Sequence, residues 1–305
     1  MVGFDLTEEQ RRMQEMAREF AEKEIRPVAA EYDEKEEFPW PILEKANKVG
    51  LLSYAVPEEY GGIGANALTD CIVQEELFWG CAGIATAMGV VGLAATPILL
   101  SGNQAQKKKY LTMLTQTKPD GRPTLGAYAA TEPEAGSDLS SLKTTAKKVQ
   151  DGYVLNGTKH FITNGGIADV YVVFATSDPS RGPDGISAFI VEGAWSGVKP
   201  GKKEKKMGIR ASYTAQVHFD DVFVPEENRL GDEGDGFVVA MKTFDATRPV
   251  VASGALGIAR AAYEYALQYS QERKQFGRAI AKFQAISFLL ADMAIEIDAA
   301  RLLIW

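Results

Sequence analysis

Apolar and polar positions divide the chain into a helical beginning, a middle of short strands and a helical end. Thr7 and Gln10 have the spacing of a helix capping box, and apolar residues then recur at helical intervals as far as Phe20. A second helix is predicted over residues 40–49, and further helix from about residue 70 to 115. The pattern therefore predicts a helical N-terminal region.

The middle of the chain, from about residue 124 to 230, alternates between apolar and polar residues in short runs. Strands are predicted at 153–155, 160–163, 170–175, 186–191 and 217–224, with Asn156-Gly157 as a hairpin turn. The basic stretch 199–210 has no interleaved aromatic residues, so it is predicted to be a surface loop and not a nucleic-acid site. Short strands at this spacing indicate a β-barrel or a β-sandwich.

Helical spacing returns at Gly236 and continues to the end of the sequence. Pro249 is predicted to kink or restart this helix, and Phe276-Gly277 to end it. A last helix is predicted from about residue 283 to Trp305, and no capping or breaking residue closes it. We therefore expect the C-terminal bundle to be incomplete.

The order of elements gives an α+β fold class with segregated parts. We predict an N-terminal helical domain over residues 1–122, a middle β-barrel or β-sandwich domain over 123–233, and a C-terminal helical bundle over 234–305. No internal repeat interrupts this order.

One apolar segment raises the question of a membrane span. No charged residue occurs between Leu77 and Gln106, and the run from residue 82 to 100 is almost wholly apolar. Several glycines, together with Thr86 and Pro97, favour instead two closely packed helices in a large core. We expect no membrane span.

Composition narrows the functional classes. The chain has 33 Lys and Arg against 41 Asp and Glu, a net charge of -8, so a bulk affinity for nucleic acid is not expected. Two cysteines and two histidines give no disulfide framework and no metal-ligand spacing, so no metal site is predicted. The beginning of the sequence lacks the pattern of a secretory or transit peptide, which makes the cytoplasm the expected location.

Four polar clusters could carry chemistry. They are Tyr128–Asp138, Phe161–Gly166, Asp245–Pro249 and Glu272–Gly277. Hydroxyl groups and glycines in a loop can present donors to an anion or a heteroaromatic edge, and arginine suits phosphate oxygens. Each cluster alone has a plainer interpretation as a turn, a loop between domains or a solvated helix end. Neither a Rossmann fingerprint nor a phosphate-binding P-loop occurs in the sequence.

Taken together, the four clusters resemble the acyl-CoA dehydrogenase family. The motifs are Tyr-x-x-Thr-Glu-Pro-x-Ala-Gly-Ser-Asp, Asn-Gly-x-Lys-x-Phe-Ile-Thr-Asn-Gly, Phe-Asp-x-Thr-Arg and Glu-Arg-Lys-x-Phe-Gly, in this order. The resemblance runs from Leu6 to Trp305 and is greatest to the medium-chain and short-chain straight-chain branch.

The resemblance implies that FAD is the cofactor and assigns residues to it. The flavin loop corresponds to Tyr128, Thr131, Gly136 and Ser137, and Phe161, Ile162 and Thr163 correspond to the side chains near flavin N5. Arg273, Gln275, Phe276 and Gln284 match positions that reach the FAD of a neighbouring subunit, which implies a homo-oligomer, a dimer of dimers. Ser137, Asp245, Thr247 and Arg248 match residues that face the acyl-CoA substrate.

The implied reaction is α,β-dehydrogenation of an acyl-CoA thioester to a trans-2-enoyl-CoA. A carboxylate removes the α proton, the β hydrogen leaves as hydride to the flavin, and an electron-transfer flavoprotein takes the electrons. No residue of 1–305 matches the catalytic glutamate: in the straight-chain branches it lies in a segment that would follow Trp305, and in a minority it lies at the position of Thr247. We expect the chain to be truncated. A non-catalytic acyl-CoA or FAD binding protein and a same-fold flavin oxidase or monooxygenase remain alternatives.

Overall fold

The computed structural model describes residues 4–305. Its α-helices are α1 (Glu8–Phe20), α2 (Ala29–Lys35), α3 (Trp40–Lys48), α4 (Ala67–Gly80), α5 (Ala82–Ser101), α6 (Gln104–Gln106), α7 (Thr112–Thr115), α8 (Gly236–Glu272) and α9 (Gln284–Ile304). Its strands are β1 (Gly126–Ala129), β2 (Thr145–Val149), β3 (Gly152–Thr163), β4 (Val170–Thr176), β5 (Ile186–Glu192), β6 (Val198–Lys203), β7 (Thr214–Pro225), β8 (Arg229–Leu230), β9 (Lys274–Gln275) and β10 (Arg278–Ala279).

Contacts between residues divide the described chain into two compact units. The helical unit contains the described residues of Met1–Ala29 together with Asn66–Ala85 and Arg248–Trp305. The sheet unit contains Ala30–Ala65 and Thr86–Thr247. The α+β class with helical ends and a sheet-rich middle is confirmed, whereas the boundaries at 122 and 233 stay a prediction.

The sheet unit is built on eight strands. Their order is β6-β7-β3-β2-β4-β5-β8, and β1 pairs in parallel with β4. The two longest strands, β3 and β7, pair in an antiparallel manner. Tyr153, Leu155, Phe189 and Val217 are fully buried in the core of this sheet. Burial of these large side chains is the main stabilising contribution here, about 1.5–3 kcal/mol for each aliphatic or phenylalanine side chain.

The predicted hairpin turn at Asn156-Gly157 is wrong, because both residues lie inside β3. The chain reverses instead between β2 and β3, where Asp151 has a positive φ of 63°. Asn156 occupies an irregularity in the pairing of β3 with β7, and its side chain exchanges two hydrogen bonds of 2.9 Å with Asp221. The side chain of Asn156 thus stabilises a bulge in a continuous strand.

Two other sequence predictions are corrected. The basic stretch 199–210 is not all loop, since β6 runs to Lys203 and pairs with β7 at the edge of the sheet. Helix α8 is 37 residues long and continues through Pro249 without a restart. Proline removes one amide donor, and the loss of one hydrogen bond does not outweigh the others in so long a helix.

Buried charges hold the helical unit together. Glu75 and Glu76 of α4 are 2% and 3% exposed, and Arg260 of α8 forms ion pairs with both. Arg301 of α9 lies 3.0 Å from Glu75, and Arg18 of α1 lies 3.5 Å from Glu76. Because each buried carboxylate has guanidinium partners, the cost of removing these charges from water is offset.

The C-terminal part of the helical unit exposes large apolar side chains. An apolar groove of about 600 Å³ lies between α8 and α9, and its lining includes Leu256, Met293 and Ile297. Leu303 at the end of α9 is 88% exposed. Contiguous exposed apolar surface of this kind marks an interaction face.

Among the described residues, Ala82–Ser101 is the one helix that is long and apolar enough to cross a membrane. In the protein, 61% of its apolar window is buried, as in the core helix of a globular fold. The apolar segment as a whole forms the end of α4 and all of α5, with Cys81 extended between them.

Candidate functional site

The loop that follows β1 is fixed by its own backbone. Glu132 N–H donates to Ala135 O (2.9 Å) and Ala135 N–H donates to Glu132 O (3.2 Å), which closes a tight turn. Thr131 O accepts a hydrogen bond of 2.8 Å from the His160 N–H of β3. Gly136 and Ser137, the next two residues, are exposed to solvent. The loop is therefore held at one end against β3 and open at the other.

A buried ion pair beneath the loop was not found from the sequence. Lys159 Nζ lies 2.7 Å from Glu132 Oε1, with side-chain exposures of 0% and 5%. Glu132 also accepts hydrogen bonds from Lys143 N–H (2.6 Å) and Thr144 N–H (3.0 Å). Burial lowers the pKa of Lys159 to about 8, although Glu132 opposes this effect. Glu132 is thus fully occupied as a structural acceptor.

The sequence around Lys159 carries no clear signal for this pair. Lys159 stands between the polar residues Thr158 and His160 in β3, and a charge that the fold buries there requires a partner of opposite charge. Only the fold shows that Glu132, 27 residues earlier, is that partner.

The end of β3 presents an aromatic side chain in a strained conformation. Phe161 has a positive φ of 56° and is 59% exposed, at a point where the register of β3 with β7 shifts between Lys159 and Ile162. Its ring stacks on the ring of His160 with centroids 4.0 Å apart and an interplanar angle of 8°. Ile162 is buried and Thr163 is half-buried. A bulky residue at positive φ is a rare and costly conformation that clusters at functional sites.

Tyr128 carries a buried hydroxyl group. Its ring lies between Phe174 and Phe244, at centroid distances of 5.0 and 5.8 Å. Its oxygen has no hydrogen-bond partner within the described residues, and burial raises the pKa of Tyr128. Because a buried hydroxyl is costly to leave unpaired, this group is a candidate donor to a ligand.

The residues matched to the acyl-CoA substrate are partly exposed. Asp245 is exposed on α8, and the Thr247 hydroxyl donates to Thr243 O of its own helix (2.9 Å). Ser137, Asp245 and Thr247 belong to the sheet unit, and Arg248, also exposed, belongs to the helical unit.

The fourth cluster forms an exposed hairpin in the helical unit. Strands β9 and β10 pair across a two-residue turn in which Phe276 and Gly277 have positive φ values of 51° and 74°. Phe276 is 94% exposed, and Arg278 lies 4.2 Å above the ring of Phe283. Arg273, Gln275 and Gln284 are exposed as well. The structure therefore gathers the four residues matched to a neighbour's cofactor on one exposed surface.

Both histidines and Cys71 are engaged within the fold, and their surroundings in the described part of the chain do not form a metal site. His160 Nε2 lies 2.9 Å from Glu204 Oε1, and His218 Nδ1 lies 2.9 Å from Thr158 Oγ1. Burial raises the pKa of the Cys71 thiol to about 11. Within residues 4–305, no group of three or more His, Cys, Asp or Glu side chains is arranged to hold a metal ion.

Comparison with known families covers nearly the whole chain. Residues 7–118 match the family described as acyl-CoA dehydrogenase, N-terminal domain, residues 127–222 the middle domain, and residues 234–305 the C-terminal domain. The chain belongs to the acyl-CoA dehydrogenase family. A curated relative, the short-chain specific acyl-CoA dehydrogenase of Clostridium acetobutylicum, is 45% identical over 305 residues, which are 100% of this chain and 79% of the relative.

Solved structures of the family agree with this fold. The butyryl-CoA dehydrogenase of Megasphaera elsdenii superposes with a TM-score of 0.94 at 45% identity, over 99% of this chain and 79% of that one. A structure of PigA with FAD and proline superposes with a TM-score of 0.91 at 30% identity, over 99% and 79% of the two chains. This acyl-CoA dehydrogenase chain is an FAD-dependent enzyme of the family.

The residues of the sheet unit fit a flavin. The exposed ring of Phe161 offers an apolar surface to a heteroaromatic system. The buried Tyr128 hydroxyl is unpaired within the described residues, and Thr131 is bonded through its carbonyl oxygen to His160, the residue before Phe161. The chemistry of these donors suits the polar edge and the apolar face of a bound isoalloxazine.

Proposed function

We propose that this chain serves the FAD-dependent α,β-dehydrogenation of acyl-CoA thioesters to trans-2-enoyl-CoA, and that an electron-transfer flavoprotein receives the electrons. The hydrogen bond from His160 N–H to Thr131 O supports this proposal most strongly, because it joins two separate sequence clusters side by side. Bound FAD would supply the acceptor for the hydride that leaves the β carbon.

The chain's own residues would bind FAD and the substrate and would shield the reacting edge of the flavin from water. Thr131 and Tyr128 would offer hydroxyl groups to the flavin. Gly136 leaves open space for a close approach, because a methyl group added at that position would have no atom within 4 Å. Phe161, Ile162 and Thr163 would exclude water from the reacting edge, which strengthens every electrostatic interaction there. The thioester substrate would be contacted by Ser137, Asp245, Thr247 and Arg248.

We also propose that no residue of 1–305 is the catalytic base. Glu132 is held by Lys159 and two backbone donors, and Glu134 is 76% exposed and lies 3.6 Å from Lys143. Thr247 stands where a minority of the family is expected to carry the base, and a hydroxyl cannot accept an α proton at neutral pH.

A substitution at Thr247 tests this assignment. With FAD and butyryl-CoA under anaerobic conditions, Thr247→Glu is expected to bleach the flavin about 10²–10⁴-fold faster than Thr247→Gln, because only the carboxylate can act as a base. Failure of the wild-type chain to bind FAD would overturn the proposed function. Rapid bleaching by the wild-type chain, or equal rates in the two variants, would contradict the assignment of the base.

The assembly is proposed to be a homotetramer, a dimer of dimers, located in the cytoplasm. The exposed hairpin supports this proposal, because Phe276 is 94% exposed and an isolated chain gains nothing from so exposed an aromatic side chain. The FAD of the neighbouring subunit would then be contacted by Arg273, Gln275, Phe276 and Gln284.

A further inference from the structure

His160 contacts both clusters that are proposed to hold the flavin. Its backbone N–H donates to Thr131 O at 2.8 Å. Its imidazole ring lies parallel to the Phe161 ring, with centroids 4.0 Å apart and an angle of 8°. A single residue therefore joins the loop after β1 to the aromatic side chain at the end of β3.

The orientation of the His160 ring is fixed by a carboxylate. Nε2 lies 2.9 Å from Glu204 Oε1 and 3.3 Å from Gln216 Nε2, and the Glu204 backbone N–H donates to Thr214 O of β7 at 2.9 Å. Nδ1 on the other side of the ring is buried and has no partner within the described residues. The imidazole ring is thus held in one orientation, with one face against the Phe161 ring.

The Phe161 ring needs a neighbouring group that fixes its direction. The residue's φ of 56° is energetically unfavourable for a bulky side chain, and that side chain is 59% exposed. The backbone on either side is fixed, because Lys159 is paired with Glu132 and Ile162 is 2% exposed. What remains to be fixed is the direction of the Phe161 ring, and the parallel imidazole fixes it.

We infer that His160 is a positioning residue for the bound cofactor: its ring, oriented by Glu204, holds the Phe161 ring in place to pack against the flavin. This inference rests on the proposed function, since it requires FAD to bind beside Thr131 and Phe161. His160 acts through Phe161, so its contribution to FAD affinity disappears when Phe161 lacks a ring.

A double-mutant cycle on FAD affinity tests the inference. The variants are His160→Ala, Phe161→Leu and the two combined, each reconstituted with FAD and measured by quenching of flavin fluorescence. His160→Ala is expected to weaken FAD binding roughly 2- to 12-fold, the range of an aromatic pair, and to have no further effect in the Phe161→Leu background. His160→Phe, which retains a stacked ring, is expected to restore the affinity, whereas His160→Gln is not.

His218→Ala is the matched control, because His218 is the other histidine of the sequence and its Nδ1 lies 2.9 Å from Thr158 Oγ1, whereas the His160 ring stacks on Phe161. Far-UV circular dichroism of each apoprotein verifies folding. If the wild-type chain binds no FAD, the proposed function fails. If it binds FAD and His160→Ala equals His218→Ala, or if the effects of His160→Ala and Phe161→Leu are additive, the inference about His160 is wrong and the proposed function stands.

Discussion

At the scale of single residues, the charge of Lys159 determines how the loop after β1 is built. A lysine with 0% side-chain exposure needs a carboxylate, and the carboxylate it contacts comes from the loop itself. Lys159 also donates to Ala130 O at 3.1 Å. The ion pair therefore holds the loop against the sheet in the conformation that presents Thr131.

The Lys159–Glu132 ion pair is expected to make the free energy of unfolding depend on pH. Burial would raise the pKa of Glu132, but Lys159 and the backbone donors outweigh it and hold the pKa below its ordinary value of 4.5. A carboxyl group of this kind stabilises the fold above its unfolded pKa, and the stabilisation is lost as pH falls through the folded pKa. Glu132→Gln is therefore expected to lower the free energy of unfolding by about 3–5 kcal/mol near neutral pH.

The loss is expected to shrink as the pH falls below about 4.5. Urea unfolding from roughly pH 2.5 to 7 measures it, a range that spans the acid side of the Glu132 titration and stays below the Lys159 pKa of about 8. Glu134→Gln is the control, because that side chain is 76% exposed and its loss is expected to change stability by less than about 0.5 kcal/mol. A constant difference between wild type and Glu132→Gln over the whole range would contradict the pKa direction.

At the scale of elements, β3 differs from its sequence pattern at Gly157. A side chain at this position would meet Thr144 Oγ1 at 2.4 Å, and the φ value of 156° is one that other residues rarely adopt. Glycine is needed here for close packing of β3 against the residue before β2, and not for a turn.

Replacing this glycine tests that explanation. Gly157→Ala is expected to lower the free energy of unfolding by about 1–3 kcal/mol through overpacking. Gly136→Ala is the matched control, because no atom lies within 4 Å of the added carbon, and thermal unfolding of both variants compares them. Equal melting temperatures for the two variants would contradict the packing role of Gly157.

The sequence pattern predicted elements better than it predicted their pairing. Helix starts such as Thr7, where the capping box is present, follow from local hydrogen bonding and were predicted correctly. Asn156-Gly157 and Pro249 were not, because a bulge in a paired strand and a tolerated proline depend on distant contacts that local propensity does not contain. The stacking of His160 on Phe161 is equally invisible in the sequence, since it depends on the positive φ of Phe161.

At the scale of the whole molecule, the exposed hairpin predicts self-association. Phe276→Asn removes the aromatic ring while providing an Asn-Gly pair, the sequence that a two-residue turn with positive φ values prefers. If Phe276 packs against a neighbouring subunit, the variant is expected to weaken association by at least about tenfold, as for an aromatic residue at the centre of an interface.

Sedimentation velocity at several protein concentrations measures this association. Phe288→Asn is a useful comparison, because Phe288 is also exposed, at 61%, but lies on α9 outside the hairpin. An unchanged assembly state in Phe276→Asn would show that the hairpin is not part of the interface.

The measurement that tests the proposed flavin site most directly is the FAD dissociation constant of the apoprotein. It is measured for the wild-type chain and for variants of the site residues Thr131 and Phe161. The wild-type chain is expected to bind FAD, and Thr131→Val and Phe161→Leu are each expected to weaken binding by roughly tenfold, the effect of losing one hydrogen bond or one ring contact. His218→Ala is expected to leave it unchanged. Absence of FAD binding by the wild-type chain, or binding that neither Thr131→Val nor Phe161→Leu alters, would contradict a flavin site between the loop after β1 and the end of β3.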